Sequence, residues 1–288
     1  MGKSKFLLGL IGEGIQASLS PALHEEEARY QGLSLHYQLI DLAQHGRSVA
    51  DLPRLIDSAE AAGFDGLNIT HPCKQAVLPL LSELSEDARA IGAVNTVVFG
   101  EGKRKGFNTD CSGFARSFAE NLGDAARRQV VLLGAGGAGA AIAHAAMSLG
   151  VERLFIVDRD HARAEALARR LAGNHPGGAA VASAAELASA AKRADGLIHA
   201  TPVGMAAHPG LAFDPFLLRP EMWVAEVVYF PLETELLRAA RARGCRTLDG
   251  GGMMVWQAVG AFEQFTGIRP DAGRMETHFL RMVARNRA

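Results

Sequence analysis

The chain is poor in cysteine, because its 288 residues include only Cys73, Cys111 and Cys245. The number is odd and no two of them are spaced like metal ligands, so we expect no disulfide framework and infer a reducing compartment. The ten histidines include no His-x-x-x-His pair, and no paired acidic ligands accompany them. The sequence therefore predicts no metal site.

An excess of charge and a long apolar run are also missing. Lys and Arg together number 30, and Asp and Glu number 31. This balance predicts neither nucleic acid nor an anionic membrane surface as a partner. Charged residues interrupt every apolar run before the roughly 18 residues of a membrane span, and the N-terminal stretch lacks the pattern of a signal peptide. We expect a cytoplasmic protein without a membrane partner.

The length is about twice that of a typical domain of about 150 residues and predicts two domains. In the first 110 residues, apolar patterning and turn signals predict strands, helices and a hairpin. The strands are expected at 6–11, 35–41 and 66–69, the helices from Ser20 towards Gly32 and over 49–62, and the hairpin at 97–99 and 104–107. Ser20 followed by Pro21 is typical of a helix N-cap and first helical position.

After Asp110 the pattern changes to short strands that alternate with alanine-rich helices. The strands are expected at 130–133, 154–157, 196–199, 224–228 and 246–248, and the last stretch from Met253 is expected to be helical, with a break near 267–270. The run 179–194 is expected to be helix surface. Strand–helix alternation of this kind predicts a parallel sheet covered on both faces.

A glycine-rich motif follows the first of these strands. It has the form G-x-G-x-x-G, runs from Gly134 to Gly139, and lies between a predicted strand and a predicted helix. In that context the glycines allow a tight turn, a close approach of the backbone to a pyrophosphate and close packing of helix on strand. The motif predicts a dinucleotide site, with these residues as its loop: Gly134, Ala135, Gly136, Gly137, Ala138 and Gly139.

The end of the next predicted strand carries the residues that distinguish the two nicotinamide dinucleotides. Asp158 lies 19 positions beyond Gly139, close to where an acidic residue binds the adenosine ribose hydroxyls. A carboxylate there favours NAD and repels the 2′-phosphate of NADP, whereas the neighbouring Arg159 is of a type that binds this phosphate. We predict NAD as the cofactor and keep NADP as the alternative.

Several polar clusters in the first 110 residues are hard to explain as structure alone. They are Ser18-Leu19-Ser20-Pro21, the segment 68–74 (Asn-Ile-Thr-His-Pro-Cys-Lys), the segment 92–96 (Gly-Ala-Val-Asn-Thr) and Asn108-Thr109-Asp110. Together with the glycine-rich loop, Thr201-Pro202-Val203-Gly204-Met205, Tyr229-Phe230-Pro231, Gly252-Met253 and Gln257-Ala258, they resemble the shikimate dehydrogenase family over nearly the whole chain. The chain looks most like the NAD-using quinate/shikimate dehydrogenases within that family.

The resemblance implies a reaction and a set of site residues. The reaction is reversible oxidation of the ring C3 hydroxyl of shikimate or quinate, with hydride transfer to NAD. Lys74 and Asp110 would form the catalytic pair, with the carrier of the proton left open. Ser18, Ser20 and Tyr229 would bind the substrate carboxylate. Thr70, Asn95, Asp110 and Gln257 would bind the ring hydroxyls, and Thr201, Pro202, Met205 and Gly252 would complete the cofactor site.

The resemblance also implies the architecture. We expect an N-terminal α/β substrate domain, residues 1–110 plus 250–288, and a Rossmann-type doubly wound dinucleotide-binding domain, residues 111–249. The active site is expected in the cleft where the domains meet, in a monomer or homodimer.

Four departures from the family pattern bear on the alternatives. Asp158 replaces the Asn-Arg-Thr typical of the NADP-using enzymes. His199 stands where Asn is common, and Glu226 stands where Asp is common. Ser20 stands where some NAD-using relatives have Thr, which leaves the choice between quinate and shikimate open.

Three alternatives stay open at this point. They are an NADP-dependent biosynthetic shikimate dehydrogenase, a non-catalytic relative that senses shikimate or quinate, and an enzyme for an amino-substituted shikimate. An enzyme of this family would serve aromatic biosynthesis or quinate catabolism.

Overall fold

The computed structural model describes residues 3–183 and 185–285. The chain divides into two compact units, one running to Gly113 and resuming at Val255, the other running from Phe114 to Met254. Two helices, α4 (Thr109–Leu122) and α9 (Gly250–Thr266), contain the points of division.

The first unit is built on a mixed six-stranded sheet of order β2-β1-β3-β5-β6-β4. Its strands are β1 (Lys5–Gly12), β2 (Ser34–Asp41), β3 (Gly66–Ile69), β4 (Glu83–Leu84), β5 (Thr96–Gly100) and β6 (Lys103–Phe107). Its helices are α1 (Ser20–Tyr30), α2 (Leu52–Ala61), α3 (Glu86–Ile91) and α10 (Ala272–Arg285), with the first residues of α4 and most of α9. β1 pairs parallel with β2 and β3, whereas β5 pairs antiparallel with β3 and β6.

The second unit has a six-stranded sheet of order β12-β11-β10-β7-β8-β9 in which every pairing is parallel. Its strands are β7 (Gln129–Leu133), β8 (Arg153–Val157), β9 (Ala179–Val181), β10 (Gly196–His199), β11 (Trp223–Glu226) and β12 (Arg246–Leu248). Its helices are α5 (Gly137–Ser148), α6 (His161–Asn174), α7 (Leu187–Ala191) and α8 (Glu235–Ala242). These two sheets with their helices confirm the predicted α/β class.

Each unit has a core of apolar side chains on its own sheet. In the first unit Ile11, Leu67 and Ile56 are fully buried in one cluster, and in the second Leu197, Val224 and Leu237 are fully buried in another. Burial of each such side chain contributes about 1.5–3 kcal/mol relative to leaving it exposed. The runs that look apolar in the sequence thus become the central strands.

Three local predictions from the sequence were wrong. The alanine-rich run 179–194 is not one helix surface, because Ala179–Val181 pairs with β8 as an edge strand. Of the residues of this run that the structure describes, which leave out 184, only Leu187–Ala191 is α-helical. The predicted helix over 49–62 starts as a 3₁₀ turn, Val49–Asp51, and α2 begins at Leu52. The predicted strand 224–228 ends at Glu226, because the Val228 N–H turns to the Glu226 side chain.

The C-terminal prediction has the expected break, since α9 ends at Thr266 and α10 begins at Ala272. Residues 286–288 of that predicted helix lie outside the described residues. In the described part of the chain, no helix combines the length and the apolar character that a membrane crossing requires.

Candidate active site

The first unit brings Lys74 and Asp110 into direct contact. The Lys74 Nζ lies 2.6 Å from the Asp110 Oδ2, and the two side chains are 14% and 7% exposed. Lys74 follows the end of β3, and its carbonyl accepts from the Val94 N–H. Asp110 lies in the first turn of α4, where the helix dipole favours a carboxylate. An ammonium group and a carboxylate in so sheltered a place can exchange a proton with a bound hydroxyl group.

Asn95 fixes the Asp110 carboxylate from the other side. Its amide nitrogen donates to the Asp110 Oδ1 at 3.0 Å and to the Thr109 Oγ1 at 2.8 Å. Its oxygen accepts from the Thr109 N–H at 2.8 Å and from the Thr96 hydroxyl at 3.0 Å. Both amide protons are therefore engaged within the protein. The structure gives Asn95 a part in holding Asp110, and its contact with a ring hydroxyl stays a prediction.

The polar network continues into the interior through residues that the sequence analysis did not assign to the site. The Asn68 side-chain amide donates to the Asn95 main-chain carbonyl oxygen and to the Thr96 hydroxyl. The Tyr37 hydroxyl donates to the Asn68 Oδ1 at 2.7 Å. All are buried, and buried polar groups that satisfy one another give a site a single arrangement. Asn68 belongs to the same polar segment as Thr70 and Lys74, which was the available signal.

Ser18 precedes α1 and Ser20 begins it, so the predicted N-cap role of Ser20 was wrong. Ser20 is the first helical residue rather than the N-cap, which is Leu19, and no side chain caps the helix. Instead the Ser18 Oγ accepts from the Ser20 N–H at 3.3 Å. The two hydroxyl groups lie two residues apart at a helix N-terminus, a position that suits an anion.

Asp41 shapes the loop that leads to these serines and was also missed. Its carboxylate accepts from the Gly14 and Ile15 amides, from the Gln16 side chain and from the Ala43 amide, at 2.9–3.1 Å. Burial raises the pKa of this carboxyl, but the hydrogen bonds outweigh it and the pKa is lowered from its usual range. The charged carboxylate therefore holds the loop at neutral pH.

The remaining predicted substrate residues are placed as follows. Thr70 is half-buried just beyond β3, and a Cβ at Gly12 would lie 2.3 Å from its methyl group. Gln257 is half-buried on α9. One turn further along, a Cβ at Gly260 would lie 3.2 Å from the Thr109 methyl group, so this helix runs close to the start of α4. Tyr229 belongs to the second unit and lies half-buried beyond the end of β11.

The glycine-rich loop of the second unit has the form that a dinucleotide requires. Gly134 has a φ of 102°, and a Cβ on Gly139 would lie 2.1 Å from the Gly134 oxygen, so neither position accepts a side chain. A Cβ at Gly136, the N-cap of α5, would meet no atom within 4 Å. Open space over a helix N-terminus with free N–H groups fits a pyrophosphate. Gly137 and Ala138 follow as the first residues of that helix.

Asp158 is bonded to this loop. Its Oδ2 accepts from the Ala135 N–H at 2.7 Å and its Oδ1 from the Asp160 N–H at 2.8 Å. Arg159 is exposed beside it. Thr201 is half-buried beyond β10, whereas Pro202 and Met205 are exposed on the segment that follows. A Cβ at Gly252 would lie 2.3 Å from the Ser117 Oγ, so close packing of α9 on α4 explains that glycine.

The two cysteines that adjoin Lys74 and Asp110 in the sequence are buried thiols with raised pKa values. Burial raises the pKa of Cys73 to about 11 and that of Cys111 to about 12. The nearby Glu13 carboxylate adds to the shift at Cys73, and the Asp87 and Asp110 carboxylates add to it at Cys111. A thiol that stays protonated is a poor nucleophile, so both fill space in the core.

Comparison with known proteins matches the chain along most of its length. The family models described as shikimate dehydrogenase substrate binding domain, shikimate / quinate 5-dehydrogenase and shikimate 5'-dehydrogenase C-terminal domain match residues 10–97, 116–206 and 250–277. A shikimate dehydrogenase (NADP(+)) of Streptomyces avermitilis is 56% identical, over 96% of this chain and 95% of its own. The chain belongs to the shikimate dehydrogenase family.

Two further similar proteins are described with NAD instead of NADP. A quinate/shikimate dehydrogenase (NAD(+)) of Corynebacterium efficiens is 51% identical over 97% of this chain and 99% of its own. The solved structure of quinate dehydrogenase from Corynebacterium glutamicum in complex with NAD has a TM-score of 0.87 and 49% identity, covering 96% of this chain and 99% of that one.

Membership of this family confirms the resemblance that the motifs indicated. It also confirms the predicted enzyme class, an NAD(P)-dependent oxidoreductase of the shikimate/quinate dehydrogenase type. The similar proteins are divided between NAD and NADP in their names, so the choice between the two cofactors depends on this chain's own residues.

Proposed function

We propose that the protein reversibly oxidises the ring C3 hydroxyl of shikimate, quinate or both to the 3-dehydro ketone, with NAD as the cofactor. NAD supplies the chemistry of accepting the hydride. The observation that carries the proposal is the 2.6 Å contact between the Lys74 Nζ and the Asp110 Oδ2. Two segments that are distant in the sequence thus form one acid–base pair in a sheltered place.

The pair of Lys74 and Asp110 accepts and returns the proton that is transferred in the reaction. When the C3 hydroxyl is oxidised, its proton leaves the oxygen as the hydride leaves the carbon, and a base within hydrogen-bond reach of that oxygen must accept it. Lys74 and Asp110 act together in this step, because the 2.6 Å contact between the Nζ and the Oδ2 lets a proton pass from one group to the other. In the reverse direction the same unit returns the proton to the ketone oxygen.

The other site residues of the first unit bind and orient the ring. Ser18 and Ser20 donate to the substrate carboxylate, and Tyr229 of the second unit is assigned to the same group. Thr70, Asp110 and Gln257 bind ring hydroxyls together with Asn95. A rigid ring with several hydroxyl groups suits this recognition, because a wrong substrate leaves buried polar groups unpaired.

The preference for NAD rests on Asp158. Its carboxylate is bonded to the Ala135 amide of the glycine-rich loop, so it lies at the edge of the open space that suits a pyrophosphate. A negative charge there favours ribose hydroxyls and repels a 2′-phosphate. The exposed Arg159 is the residue that would reverse this preference.

The first experiment measures initial rates with purified protein for shikimate and quinate, each with NAD and with NADP. Turnover of either acid with NAD, and at least tenfold less with NADP, is the expected result. Turnover with NADP alone would contradict the cofactor assignment and give Arg159 the larger part. Turnover of neither acid with either cofactor would contradict the substrate assignment.

A second experiment tests the catalytic pair. We expect Lys74→Ala to lower kcat by about 10²–10⁴-fold, the usual contribution of a general acid–base group, while cofactor binding is retained. Lys103→Ala is the matched control, because it removes a lysine of the same unit that is paired with Glu83 on the surface. Loss of less than tenfold in Lys74→Ala, or equal loss in the control, would overturn the role assigned to Lys74.

A further inference from the structure

His199 and Glu226 form a polar pair inside the second unit. They end the adjacent parallel strands β10 and β11 and are direct partners in the strand register. They are 1% and 2% exposed, and the other residues of the two strands are apolar or glycine. A buried pair of this kind destabilises a protein unless its remaining hydrogen bonds are satisfied. The partners that satisfy those hydrogen bonds therefore indicate what the pair does.

The Glu226 carboxylate collects hydrogen bonds from the segment that follows it. It accepts from the Val227 and Val228 amides at 3.0 Å each and from the Thr234 hydroxyl at 3.0 Å. Thr234 is the N-cap of α8. The carboxylate therefore fixes both ends of the Val227–Thr234 segment, which carries Tyr229.

His199 connects that carboxylate to a second segment. Its Nδ1 lies 2.8 and 3.0 Å from the two Glu226 oxygens, and its Nε2 lies 2.5 Å from the Thr201 Oγ1. A nitrogen that faces a carboxylate carries a proton, so in the neutral ring the Nε2 accepts from the Thr201 hydroxyl. The Thr201 oxygen in turn accepts from the Val203 N–H at 3.3 Å.

The two segments also lie close to each other and to the glycine-rich loop. A Cβ at Gly204, whose φ is 96°, would lie 3.4 Å from the Thr234 side chain. A Cβ at Gly134 would lie 2.8 Å from the Ala200 oxygen and 3.1 Å from the Thr201 methyl group. A displacement of Thr201 would therefore change the packing against Gly134, the first glycine of the loop.

We propose that His199 and Glu226 are positioning residues that hold the Thr201–Met205 and Val227–Thr234 segments in the arrangement that binds the nicotinamide dinucleotide. Neither side chain is assigned a contact with substrate or cofactor. The inference rests on the proposed function for the dinucleotide site alone, and the choice between NAD and NADP does not affect it.

The test separates the two arms of the pair. In His199→Asn the amide nitrogen can take the place of the Nδ1 and keep the bond to Glu226, whereas the bond to Thr201 is lost. We expect this variant to weaken NADH binding, measured by fluorescence titration without a second substrate, by roughly five- to tenfold, the effect of about one net hydrogen bond. Its KM for the acid is expected to change less than twofold.

Glu226→Gln removes the charge. With the Gln oxygen in place of Oε1, which accepts from both main-chain amides, the Gln amide nitrogen takes the place of Oε2 and faces the protonated Nδ1 of His199, a donor opposite a donor. We expect weaker NADH binding and also a higher KM for shikimate or quinate, because the segment with Tyr229 is released. In a double-mutant cycle, His199→Asn and Thr201→Val should be non-additive, since each removes the same hydrogen bond.

The matched control is Trp223→Phe. It removes a part-buried hydrogen bond, from the Trp223 Nε1 to the Ala126 oxygen at 2.8 Å, at the opposite end of β11. This variant should lower the Tm without changing NADH binding. If His199→Asn likewise lowers only the Tm, or if the cycle is additive, the positioning role is overturned. If Glu226→Gln does not fold, His199→Asn and the cycle still decide the question.

The titration is carried out with NADH and NADPH in parallel. If the wild-type chain binds only NADPH, the NAD proposal fails while the same comparison of variants proceeds with NADPH. Failure of the two proposals is thus distinguishable.

Discussion

At the scale of single residues, the Asp158 carboxylate supports two segments of the proposed dinucleotide site. One of its oxygens holds the glycine-rich loop through the Ala135 amide, and the other holds the turn into α6 through the Asp160 amide. Each carboxylate oxygen has a further lone pair available for a ribose hydroxyl. The side chain that supports the loop is therefore the one to which we assign the preference for NAD.

Replacing Asp158 by Asn is expected to shift selectivity towards NADP. The amide keeps an oxygen for the Ala135 N–H but no longer repels a 2′-phosphate. We expect the ratio of kcat/KM for NADP to that for NAD to rise at least about tenfold, equivalent to about 1.4 kcal/mol, as measured by steady-state kinetics with both cofactors.

Asp160→Asn is the control, since it removes a carboxylate two residues away that caps α6. An unchanged ratio in Asp158→Asn would restrict Asp158 to supporting the loop.

At the scale of elements, the loop between β1 and α1 depends on a residue from another strand. Asp41 ends β2, which pairs parallel with β1, and the register brings Gly12 opposite Asp41. The carboxylate can therefore reach the amides of Gly14 and Ile15 just beyond β1. The position of Ser18 is thus determined by the pairing of two strands as well as by its own segment.

We expect Asp41→Asn to destabilise the first unit by about 2 kcal/mol, because the new amide nitrogen faces two of the four N–H donors, which lose their charged acceptor. The KM for the acid should rise several-fold as the loop before Ser18 loosens. Urea unfolding and steady-state kinetics at pH 7 measure the two effects.

The contribution of Asp41 to the stability of the first unit depends on pH. The pKa of Asp41 is lowered in the folded protein from its model-peptide value of 3.8, so its stabilisation is complete above about pH 4 and is lost as the pH falls below that value. The difference between wild type and Asp41→Asn should shrink in the same window. Asp51, which is half-buried where Asp41 is fully buried and accepts from the Ser48 amide, provides the control Asp51→Asn, for which a much smaller loss is expected. A constant difference down to pH 3 would contradict this account.

At the scale of the whole molecule, both units bury their thiols. Cys73 and Cys111 lie in the first unit and Cys245 in the second, and all three are free and buried. Burial is the largest cause of the raised pKa at each of them. The thiols therefore report on the integrity of the two units.

At pH 8 the native protein should react with an aromatic disulfide reagent far more slowly than the unfolded chain. A pKa near 11 in place of 9.0 at Cys73 leaves about 100-fold less thiolate. Three thiols should be titrated after denaturation in guanidinium chloride, and Cys245→Ala should leave two. Rapid labelling of a native thiol at the rate of a free cysteine would contradict the prediction.

Much of the fold followed from patterns that act locally. The apolar runs at β1, β7 and β10 and the glycine at the break after α9 are strong signals, because burial and backbone conformation act on the residues themselves. The edge strand Ala179–Val181 gave no such signal. Alanine has little preference for a strand, and its pairing with β8 decides its conformation.

The sequence by itself determined the class of this protein: the G-x-G-x-x-G loop, the polar segments around Lys74 and Asp110, and Asp158 are readable because their chemistry depends on residue types at fixed spacings. Tertiary structure alone decided how those groups are supported. The contacts of Tyr37 with Asn68, of Asp41 with Gly14, and of His199 with Glu226 each join strands or loops that are distant in the chain. Hydrogen bonds of this kind depend on strand order and register, which no local pattern specifies.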